Sequence, residues 1–390
     1  MTESDAPRRI FYVTGTRADF GLMAITLQGI AAHPQLALQV AVTGMHLSAQ
    51  FGHTVDEVEA ALPLGSIVAR IPVDIDERSP AAMSRAVGQT LLGLTAAMDA
   101  HKPHIVLLLG DRGEMLAGAI AALHLGIPIV HLHGGERTGT VDDAIRHAIT
   151  KLSHWHFVAT EASRERVVRL GEQADRVWVT GAPSLDGLNT IAAAAPRDEV
   201  LERLGLQANA RYALVLFHPV VQEAQSAVAQ TQALVDALKV TSKDAALRVV
   251  WLAPNADAGS GGIVSVLGNA SETWPALHTL THLPRDAYVQ ALAQADVLVG
   301  NSSSGILEAA SLGTPVVNIG NRQRNRERNA NTLDCDTTTA AITAALQQAL
   351  AHGRYPAENR YGDGQSSPRI VQLLAETPVA ADLLDKVNSY

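Results

Sequence analysis

Short apolar runs alternate with segments of helical periodicity along most of this chain. The run Ile105–Leu109 is followed by a helical segment at about 113–125, and a second apolar run then covers 127–132. Continuous apolar runs of this length, separated by helices, are typical of parallel strands buried on both faces. The same alternation extends over 10–180 and restarts over 212–319, which predicts two doubly wound α/β units with right-handed crossovers.

The predicted elements follow this alternation through the chain. Strands are predicted at 10–14, 36–43, 105–109, 127–132, 154–158, 176–180, 212–217, 248–253, 278–283, 296–299 and 315–319. Helices are predicted from the glycine turn at 15–21 to about 32, and at 55–61, 81–100, 113–125, 141–152, 161–171, 223–238, 285–295, 305–312, 367–375 and 380–387. Residues 192–197 are expected to connect the two halves, and residues 259–262 to form a loop.

Length supports the same division. A chain of 390 residues exceeds one ordinary hydrophobic core, so two domains are expected. We predict an N-terminal Rossmann-like domain at 1–185 and a nucleotide-binding Rossmann-like domain at 186–366, facing each other across a cleft. The helices within 367–390 are expected to pack back on the first domain.

Composition and charge exclude several classes of partner. The chain is 47% apolar and carries a formal charge of −9, which argues against a nucleic-acid partner. No apolar run approaches the roughly 20 residues that span a bilayer, so no membrane partner is expected. The single cysteine, Cys335, excludes a disulfide framework, and residues 1–9 lack a signal-peptide apolar core. A cytoplasmic protein is therefore expected.

Polar residues follow two neighbouring strands of the first half. Asp111 and Arg112 come directly after the strand at 105–109, and His133 and Glu136 follow the next strand, which itself contains His131. Ligands of open parallel sheets bind beyond the carboxyl ends of the strands, so these side chains are expected to converge on one pocket. The alternative is that Asp111 and Arg112 form only a turn and a surface ion pair.

The first two strands end in further candidates. A glycine turn containing Arg17 and Asp19 follows the first strand, and His46 follows the second. Backbone N–H groups at such a turn bind anions, and Arg17 adds a positive charge. The alternative is that the glycine serves only the turn, that Arg17 is solvated, and that His46 is a surface or core residue.

The second half contains a hydroxyl-rich turn where a strand enters a helix. Residues 300–305 read Gly-Asn-Ser-Ser-Ser-Gly, and a helix N-terminus with free N–H groups favours a phosphate. Glu308 lies one turn further, where a carboxylate can accept hydrogen bonds from ribose hydroxyls. Arg322 starts an alternating basic run, and we expect it to reach a phosphate. The alternative for the serines is an ordinary helix N-cap.

Two histidine pairs, at 131 and 133 and at 154 and 156, share strand faces in a way that is compatible with a metal. The cysteine or carboxylate spacing of a metal site is missing, so neither a metal nor a cofactor is expected.

Six segments resemble the hydrolysing UDP-N-acetylglucosamine 2-epimerase family, which feeds the synthesis of sialic, legionaminic and related nonulosonic acids. They are TGTRADFG (14–21), GDRGEMLAGA (110–119), HGGERTGTVDDAIRHAITKLSH (133–154), HPV (218–220), PNADAG (254–259) and GNSSSGILEAASLGTPVVNIGNRQ (300–323). The resemblance implies a glycosyltransferase-B-like fold. It also implies a reaction in which nucleoside diphosphate leaves C1 and C2 loses its proton, followed by addition of water to the glycal with inversion at C2.

Two sets of site residues follow from the motifs and the resemblance. The expected catalytic residues are Asp111, Asp142, His133, Glu136 and His218. The expected substrate-binding residues are Arg17, Asp19, His46, Arg112, Asn255, Ser302, Ser303, Ser304, Gly305, Glu308 and Arg322. The resemblance implies that Asp111 and Asp142 are catalytic carboxylates and that Glu308 contacts the nucleotide ribose.

One departure from the family concerns the substrate. Members that act in sialic acid synthesis carry a third catalytic carboxylate where this chain has His133. An imidazole can transfer a proton but cannot stabilise a positive centre as an anion does. We therefore expect a substrate other than plain UDP-N-acetylglucosamine, such as a 2,4-diacetamido-6-deoxy sugar or a GDP-linked one.

Three alternatives stay open. They are a glycosyltransferase of the same fold, a non-hydrolysing UDP-N-acetylglucosamine 2-epimerase, and a binding protein for sugar nucleotides without turnover. The expected partner is a sugar nucleotide, and the chain is expected to form a homodimer or homotetramer.

Overall fold

The computed structural model describes residues 6–49, 52–75, 77, 79–139, 142–254, 259–380 and 382–389, with the backbone alone at 80, 221 and 222. The chain divides into two compact units. Unit 1 comprises Met1–Glu136, Val141–Asp186 and Tyr361–Tyr390, and unit 2 comprises Arg137–Thr140 and Gly187–Arg360. The boundary expected after residue 185 thus falls after residue 186, and the return to unit 1, expected at 367, begins at Tyr361.

Strands and helices alternate in the described parts of both units. The strands are β1 Arg8–Thr14, β2 Leu36–Thr43, β3 Ile67–Ile71, β4 Ile105–Leu109, β5 Ile129–Leu132, β6 Trp155–Val158, β7 Val177–Val179, β8 Arg211–Leu216, β9 Leu247–Leu252, β10 Leu277–Leu280, β11 Val297–Gly300, β12 Val316–Ile319 and β13 Thr332–Cys335. The helices are α1 Arg17–Ala32, α2 Val55–Ala61, α3 Pro80–His101, α4 Gly113–His124, α5 Asp142–Leu152, α6 Glu161–Arg169, α7 Leu188–Ala193, α8 Arg197–Arg203, α9 Ala227–Asp244, α10 Ser260–Thr273, α11 Arg285–Gln294, α12 Ser303–Leu307, α13 Thr339–His352 and α14 Ser366–Glu376. Short 3-10 helices include Gly44–Leu47 and Ala309–Leu312.

Each unit contains one sheet in which every described strand pair is parallel. The strand order in unit 1 is β3-β2-β1-β4-β5-β6-β7, and in unit 2 it is β10-β9-β8-β11-β12-β13. In both, the order reverses beside the first strand, which is where open α/β sheets bind ligands. The predicted doubly wound α/β class is therefore confirmed.

The central strands are apolar throughout because helices cover both faces of the sheet. All five residues of β4 are buried. Ile105, Leu107 and Leu109 pack into one core cluster, and Val106 and Leu108 pack into the cluster on the opposite face. This two-sided burial fixes where β4 ends, and so fixes the position of the polar turn that follows it.

Several predicted elements differ from the structure. The edge strands β3 and β13 were not predicted because they are short and half exposed, and each includes a charged residue. The segment at 192–197, expected only to connect, contains the end of α7 and the start of α8, and α13 was also missed.

The predicted loop at 259–262 and the predicted helix at 380–387 are wrong. Gly259 adopts φ 99° and is the N-cap of α10, so the glycines after it lie inside a helix. A Cβ on Gly262 would approach Val228 Cγ2 to 2.7 Å, which explains a glycine where α10 packs against α9. The described residues of 380–387 form a turn and irregular chain. Among the described residues, no helix has both the length and the apolar character needed to cross a bilayer.

Candidate active site

The turn after β4 places a carboxylate against a buried guanidinium. Gly110 adopts φ 82°, a conformation that favours glycine, and turns the chain out of the sheet. Asp111 follows, and its Oδ2 accepts a hydrogen bond from Arg146 Nη2 of α5. The Arg146 side chain is only 2% exposed, whereas the Asp111 side chain retains 24% exposure. Asp111 is therefore held by a buried cation while its side chain stays partly accessible to solvent.

The turn after β5 pairs an imidazole with a second carboxylate. His133 has φ 61°, which is uncommon outside glycine, and Gly135 has φ 74°. A Cβ on Gly135 would lie 2.3 Å from the carbonyl oxygen of Ser163, so only glycine fits there. These two positions turn the chain back on itself, and Glu136 Oε1 contacts His133 Nδ1. Thus a carboxylate is present at this point of the site even though residue 133 is a histidine.

Arg146 connects the two turns. Besides Asp111, its Nη1 donates to the backbone oxygen of His133 at 3.2 Å, and its Nε lies 3.9 Å from Asp143 Oδ1. Burial alone would lower the pKa of this guanidinium, but the negative charges of Asp111, Glu136, Asp143 and Asp142 raise it. The cation therefore stays charged and gathers four carboxylates at one edge of unit 1.

Sequence reasoning placed Arg146 on the same helix as Asp142 but did not include it among the site residues. The usable signal was its spacing, three residues after Asp143 and four after Asp142, which puts all three on one side of α5. What the sequence could not show is that this side faces the ends of β4 and β5.

The turn after β1 is stabilised by its own side chains. Asp19 Oδ2 accepts from the backbone N–H of Gly15 at 3.1 Å and of Thr16 at 3.0 Å, completing a capping box at the start of α1. Thr14 Oγ1 donates to Asp19 Oδ1 and lies 2.9 Å from His46 Nε2. Burial raises the pKa of Asp19 to about 6 and lowers the pKa of His46 to about 4.

The residues around this turn differ in how available they are to a ligand. The contacts described for Asp19 and His46 lie within the turn and its neighbour Thr54, so both side chains shape the loop. The Arg17 side chain is 31% exposed, and its Nη1 lies 3.5 Å from Glu57 Oε1. Arg112 lies 3.6 Å from Glu114, whose carboxylate approaches Gly15. The turns after β1 and β4 are therefore neighbours, and Arg17 and Arg112 are the cations there.

Three of the strand histidines have structural contacts. His131 Nε2 bonds the backbone oxygen of Gly110 at 2.8 Å and Nδ1 lies 3.1 Å from Thr150 Oγ1. Burial lowers the pKa of His131 to about 3, so its ring is neutral. His154 accepts from the backbone of Ile129, and His156 Nε2 lies 3.0 Å from Glu172 Oε2. In the part of the chain that the structure describes, no group of three or more metal-ligating side chains forms a metal site.

In unit 2 the end of β11 is fixed by backbone packing. Gly300 has φ 137°, and a Cβ on it would lie 2.0 Å from the carbonyl oxygen of Leu216. The Asn301 side chain then bonds both backbone groups of His218 at 2.8 Å, while Arg322 Nη1 donates to the backbone oxygen of Asn301 at 3.0 Å. Burial, with a smaller contribution from Arg322, lowers the pKa of His218 to about 3. A neutral imidazole and a guanidinium therefore meet beside the hydroxyl-rich turn.

The three serines have different positions. Ser302 caps α12, its side chain accepting from the backbone N–H of Ser304 at 3.4 Å. Ser304 Oγ donates to Glu308 Oε2 and contacts Tyr288 Oη. Gly305 packs closely on Val316, and Ser303 is the first residue of the helix. Ser302 and Ser303 are thus the hydroxyls nearest the free end of α12.

Glu308 is more deeply engaged than the sequence suggested. It is 2% exposed, Ser304 bonds one carboxylate oxygen, and Arg285 Nη2 pairs with the other. Arg285 and Tyr288, both from α11, were not among the expected site residues. The helix at 285–295 was predicted, but nothing in the sequence indicates that the first turn of α11 contacts α12.

The structure thus gathers the expected residues into two sets. Unit 1 holds Asp111, His133, Glu136 and Asp142 around Arg146, with Arg112, Arg17, Asp19 and His46 at the neighbouring turns. Unit 2 holds His218, Ser302, Ser303, Ser304, Gly305, Glu308 and Arg322 around the end of β11. Asn255 lies outside the described residues.

Comparison with known proteins identifies relatives over almost the whole chain. Residues 28–375 match the family model described as UDP-N-acetylglucosamine 2-epimerase. The chain is 45% identical, over 98% of its length and 100% of the relative, to a UDP-N,N'-diacetylbacillosamine 2-epimerase (hydrolyzing) of Legionella pneumophila. It is 32% identical, over 84% of both chains, to a GDP/UDP-N,N'-diacetylbacillosamine 2-epimerase (hydrolyzing) of Campylobacter jejuni.

A solved structure shows the same fold. The crystal structure of UDP-GlcNAc 2-epimerase from Neisseria meningitidis bound to UDP-GlcNAc aligns with a TM-score of 0.80 and 20% identity, covering 95% of this chain and 100% of that one. The expected fold, two parallel-sheet α/β units of the glycosyltransferase-B-like class, is thereby confirmed.

Proposed function

This chain belongs to the UDP-N-acetylglucosamine 2-epimerase family, and from that premise we propose that it is a hydrolysing sugar-nucleotide 2-epimerase. Its substrate is a UDP-linked 2,4-diacetamido-6-deoxyhexose of the diacetylbacillosamine type. Its products are UDP and the free 2-epimer, which has the mannose configuration and suits the synthesis of a nonulosonic acid. The observation that carries the proposal is the 45% identity, over 98% of the chain, to a relative described as a UDP-N,N'-diacetylbacillosamine 2-epimerase (hydrolyzing).

The first chemical step is an elimination. The C1–O bond to the diphosphate breaks, its electron pair leaves with UDP, C2 loses its proton to a base, and a C1–C2 double bond forms. We assign the departing diphosphate to unit 2, where the N-terminal end of α12, Ser302 and Arg322 offer N–H and O–H donors and a positive charge. Preorganised donors of this kind contribute up to roughly 3–4 kcal/mol each to stabilising a developing anion.

His218 acts beside Arg322 as an uncharged donor. Its pKa of about 3 leaves the ring neutral near pH 7, so it can donate one hydrogen bond to a phosphate oxygen without adding charge. Arg322 is the cation of that pair. This division explains how a histidine can lie next to an arginine without electrostatic repulsion.

The proton transfers belong to unit 1. Asp111 is partly exposed and fixed by Arg146, and Glu136 with His133 forms a carboxylate–imidazole pair. We propose that one of these two groups takes the C2 proton. The other takes a proton from the water whose hydroxyl adds to C1, and it delivers a proton to C2 on the face opposite the one that was deprotonated. Asp142, the first residue of α5, is the third carboxylate at this edge.

The His133–Glu136 contact bears on the substrate. A histidine at 133 suggested a substrate other than UDP-N-acetylglucosamine, but Glu136 supplies a carboxylate to the same ring. The proposed preference for a 2,4-diacetamido sugar therefore depends on the relatives and not on the loss of an anion. GDP-linked sugars stay among the substrates to be compared because the Campylobacter relative is described with both nucleotides.

Turnover of a substrate panel in deuterated water tests the proposal. The panel contains UDP-diacetylbacillosamine, its GDP counterpart and UDP-N-acetylglucosamine, and products are read by NMR. We expect UDP release together with a free mannose-configured 2,4-diacetamido sugar that carries deuterium at C2. Preference for UDP-N-acetylglucosamine would overturn the substrate. A deuterated product that stays UDP-linked would identify a non-hydrolysing epimerase, and UDP release only with an added acceptor would identify a glycosyltransferase.

A further inference from the structure

The residues at 382–389 lie against unit 1 although they form no helix or strand. Leu383 is 3% exposed and belongs to the core cluster that also contains Ile105 and Leu107 of β4. Ser389 donates from its backbone to the Gly171 oxygen at 3.0 Å, and Arg176 donates to the Leu383 oxygen at 3.4 Å. An irregular segment with this many specific contacts has a defined path, so its polar side chains occupy defined places.

Lys386 of this segment closes the C-terminal end of α5. Its Nζ donates to the backbone oxygen of Thr150 at 3.1 Å and also to that of Ser153. These oxygens belong to the last turn of α5 and to the residue after it, where a helix leaves carbonyl groups unpaired. The negative end of the helix dipole also favours a cation.

Glu172 holds the Lys386 ammonium in place. It is 3% exposed, and its Oε2 lies 2.7 Å from Lys386 Nζ. Lys151 Nζ at 2.6 Å and His156 Nε2 at 3.0 Å also bond this carboxylate. Burial alone would raise the pKa of Glu172, but the hydrogen bonds from His156, Lys151 and Lys386 lower it to about 2. The carboxylate is therefore charged and orients the lysine toward α5.

Two routes lead from this end of α5 to the turn that contains Asp111. Arg146 lies one turn before Thr150 on the same helix and bonds the Asp111 carboxylate. Thr150 Oγ1 lies 3.1 Å from His131 Nδ1, and His131 Nε2 bonds the Gly110 oxygen at 2.8 Å. One route therefore fixes the Asp111 side chain and the other fixes the backbone just before it.

We propose that Lys386 is a positioning residue. It fixes the position of α5 along its axis and its rotation against the sheet of unit 1, and so the placement of the Asp111 carboxylate. The inference rests on the proposed function, in which Asp111 acts on the sugar. The contacts described for Lys386 are with Thr150, Ser153 and Glu172, none of which is expected to act on the sugar or to bind nucleotide, so its effect should appear in turnover and not in nucleotide affinity.

Replacement of Lys386 by methionine tests the proposal. Methionine keeps the aliphatic stem but removes the charge and all three donors. We expect Lys386→Met to lower kcat by roughly 10- to 100-fold, as a small misplacement of a catalytic group does. Lys386→Arg, which keeps a cation, should recover most of the loss, and the affinity for UDP should stay unchanged. Val387→Ala is the matched control, because Val387 is the next residue in the chain and is 62% exposed.

Hydrogen exchange gives a readout that needs no substrate. In Lys386→Met, amides at 142–152 and at 110–112 should exchange faster, while amides of unit 2 keep their rates. Unchanged exchange and kcat would overturn the proposal, and so would a loss of kcat and UDP affinity in equal proportion. If the methionine variant does not fold, Lys386→Gln, which retains one donor group without charge, is measured in the same way. A wild-type chain that is inactive on every sugar nucleotide would instead overturn the proposed function. The effect of Lys386 on α5 would still be tested in that case, because the hydrogen-exchange comparison needs no substrate.

Discussion

Each unit places polar groups at the carboxyl ends of the strands of its own parallel sheet, but the two units hold those groups by different means. In unit 1 the turns after β4 and β5 carry charged side chains, fixed by the buried Arg146. In unit 2 the turn after β11 carries hydroxyls and an amide, fixed mainly by hydrogen bonds to the backbone of His218 and by the start of α12.

This difference separates two chemical tasks. Carboxylates held by a cation can gain and lose protons at a fixed position, which general acid–base chemistry requires. A helix N-terminus flanked by hydroxyls and one arginine offers donors to an anion without itself titrating near pH 7. The fold is shared, and in the proposed mechanism the side chains at the strand ends give proton transfer to unit 1 and anion binding to unit 2.

The largest effect that tests this comparison is expected from Asp111→Asn. Asparagine keeps the shape and an acceptor for Arg146 but cannot exchange a proton, so kcat should fall by about 10³-fold. Affinity for UDP should stay within about two-fold, because the substitution leaves the hydrogen-bond donors of unit 2 unchanged. Steady-state turnover and calorimetric titration with UDP measure the two quantities.

Asp143→Asn is the matched control for that variant. It removes a carboxylate that lies 3.9 Å from the same Arg146 guanidinium but is not among the proposed acid–base groups. We expect only a small loss of kcat. Equal losses in the two variants would mean that Asp111 acts by balancing the charge of Arg146, and the assignment of proton transfer would then be wrong.

A smaller effect, on stability, comes from the buried Asp19. Its folded-state pKa of about 6 lies above the ordinary value of 3.8, mainly because of burial. The folded chain therefore binds the Asp19 proton more tightly than the unfolded chain does. The contribution of Asp19 to the free energy of unfolding is present below about pH 4 and decreases as the pH rises from about 4 to 6. At roughly 1.4 kcal/mol per pKa unit, the contribution reaches up to about 3 kcal/mol.

Asp19→Asn should remove this dependence. In urea unfolding, the free energy of unfolding of the variant should rise relative to that of the wild type by up to about 3 kcal/mol between pH 4 and pH 7. Asp198→Asn, which alters an exposed residue of unit 2, controls for the loss of one carboxyl group. Parallel pH curves for Asp19→Asn and the wild type would show that Asp19 does not titrate differently in the folded chain.

Sequence alone predicted most of the fold because its strands are continuous apolar runs. The central strands are buried on both faces and contain little else, so their pattern is unambiguous. The missed strands β3 and β13 are edge strands whose exposed faces admit charged residues. The helix wrongly expected at 380–387 shows the opposite error. Leu383 and Lys386 have helical spacing, but contacts with the core and with α5 hold this segment in an irregular path.

The candidate site was predictable to the extent that it follows strand ends. Asp111, His133 and the serines could be named as candidates because each lies within a few residues of the end of an apolar run. Arg146, Arg285 and Tyr288 come from helices, and their contacts depend on how those helices rotate against the sheet. Sequence periodicity defines a helix face, but it does not reveal which strand end that face meets.

The serine-rich turn had two interpretations, a phosphate site and an ordinary N-cap, and a pair of variants can separate them. Ser302 caps α12 in unit 2, and Thr160 caps α6 in unit 1 by accepting from Ser163 N at 3.1 Å. Replacing either by alanine should cost about 1 kcal/mol of stability through loss of the cap. Only Ser302→Ala should also weaken UDP binding, by about 10-fold, because a hydrogen bond to a charged phosphate is lost. Thermal unfolding with and without UDP measures both effects, and equal UDP affinity in the two variants would reduce Ser302 to a helix cap.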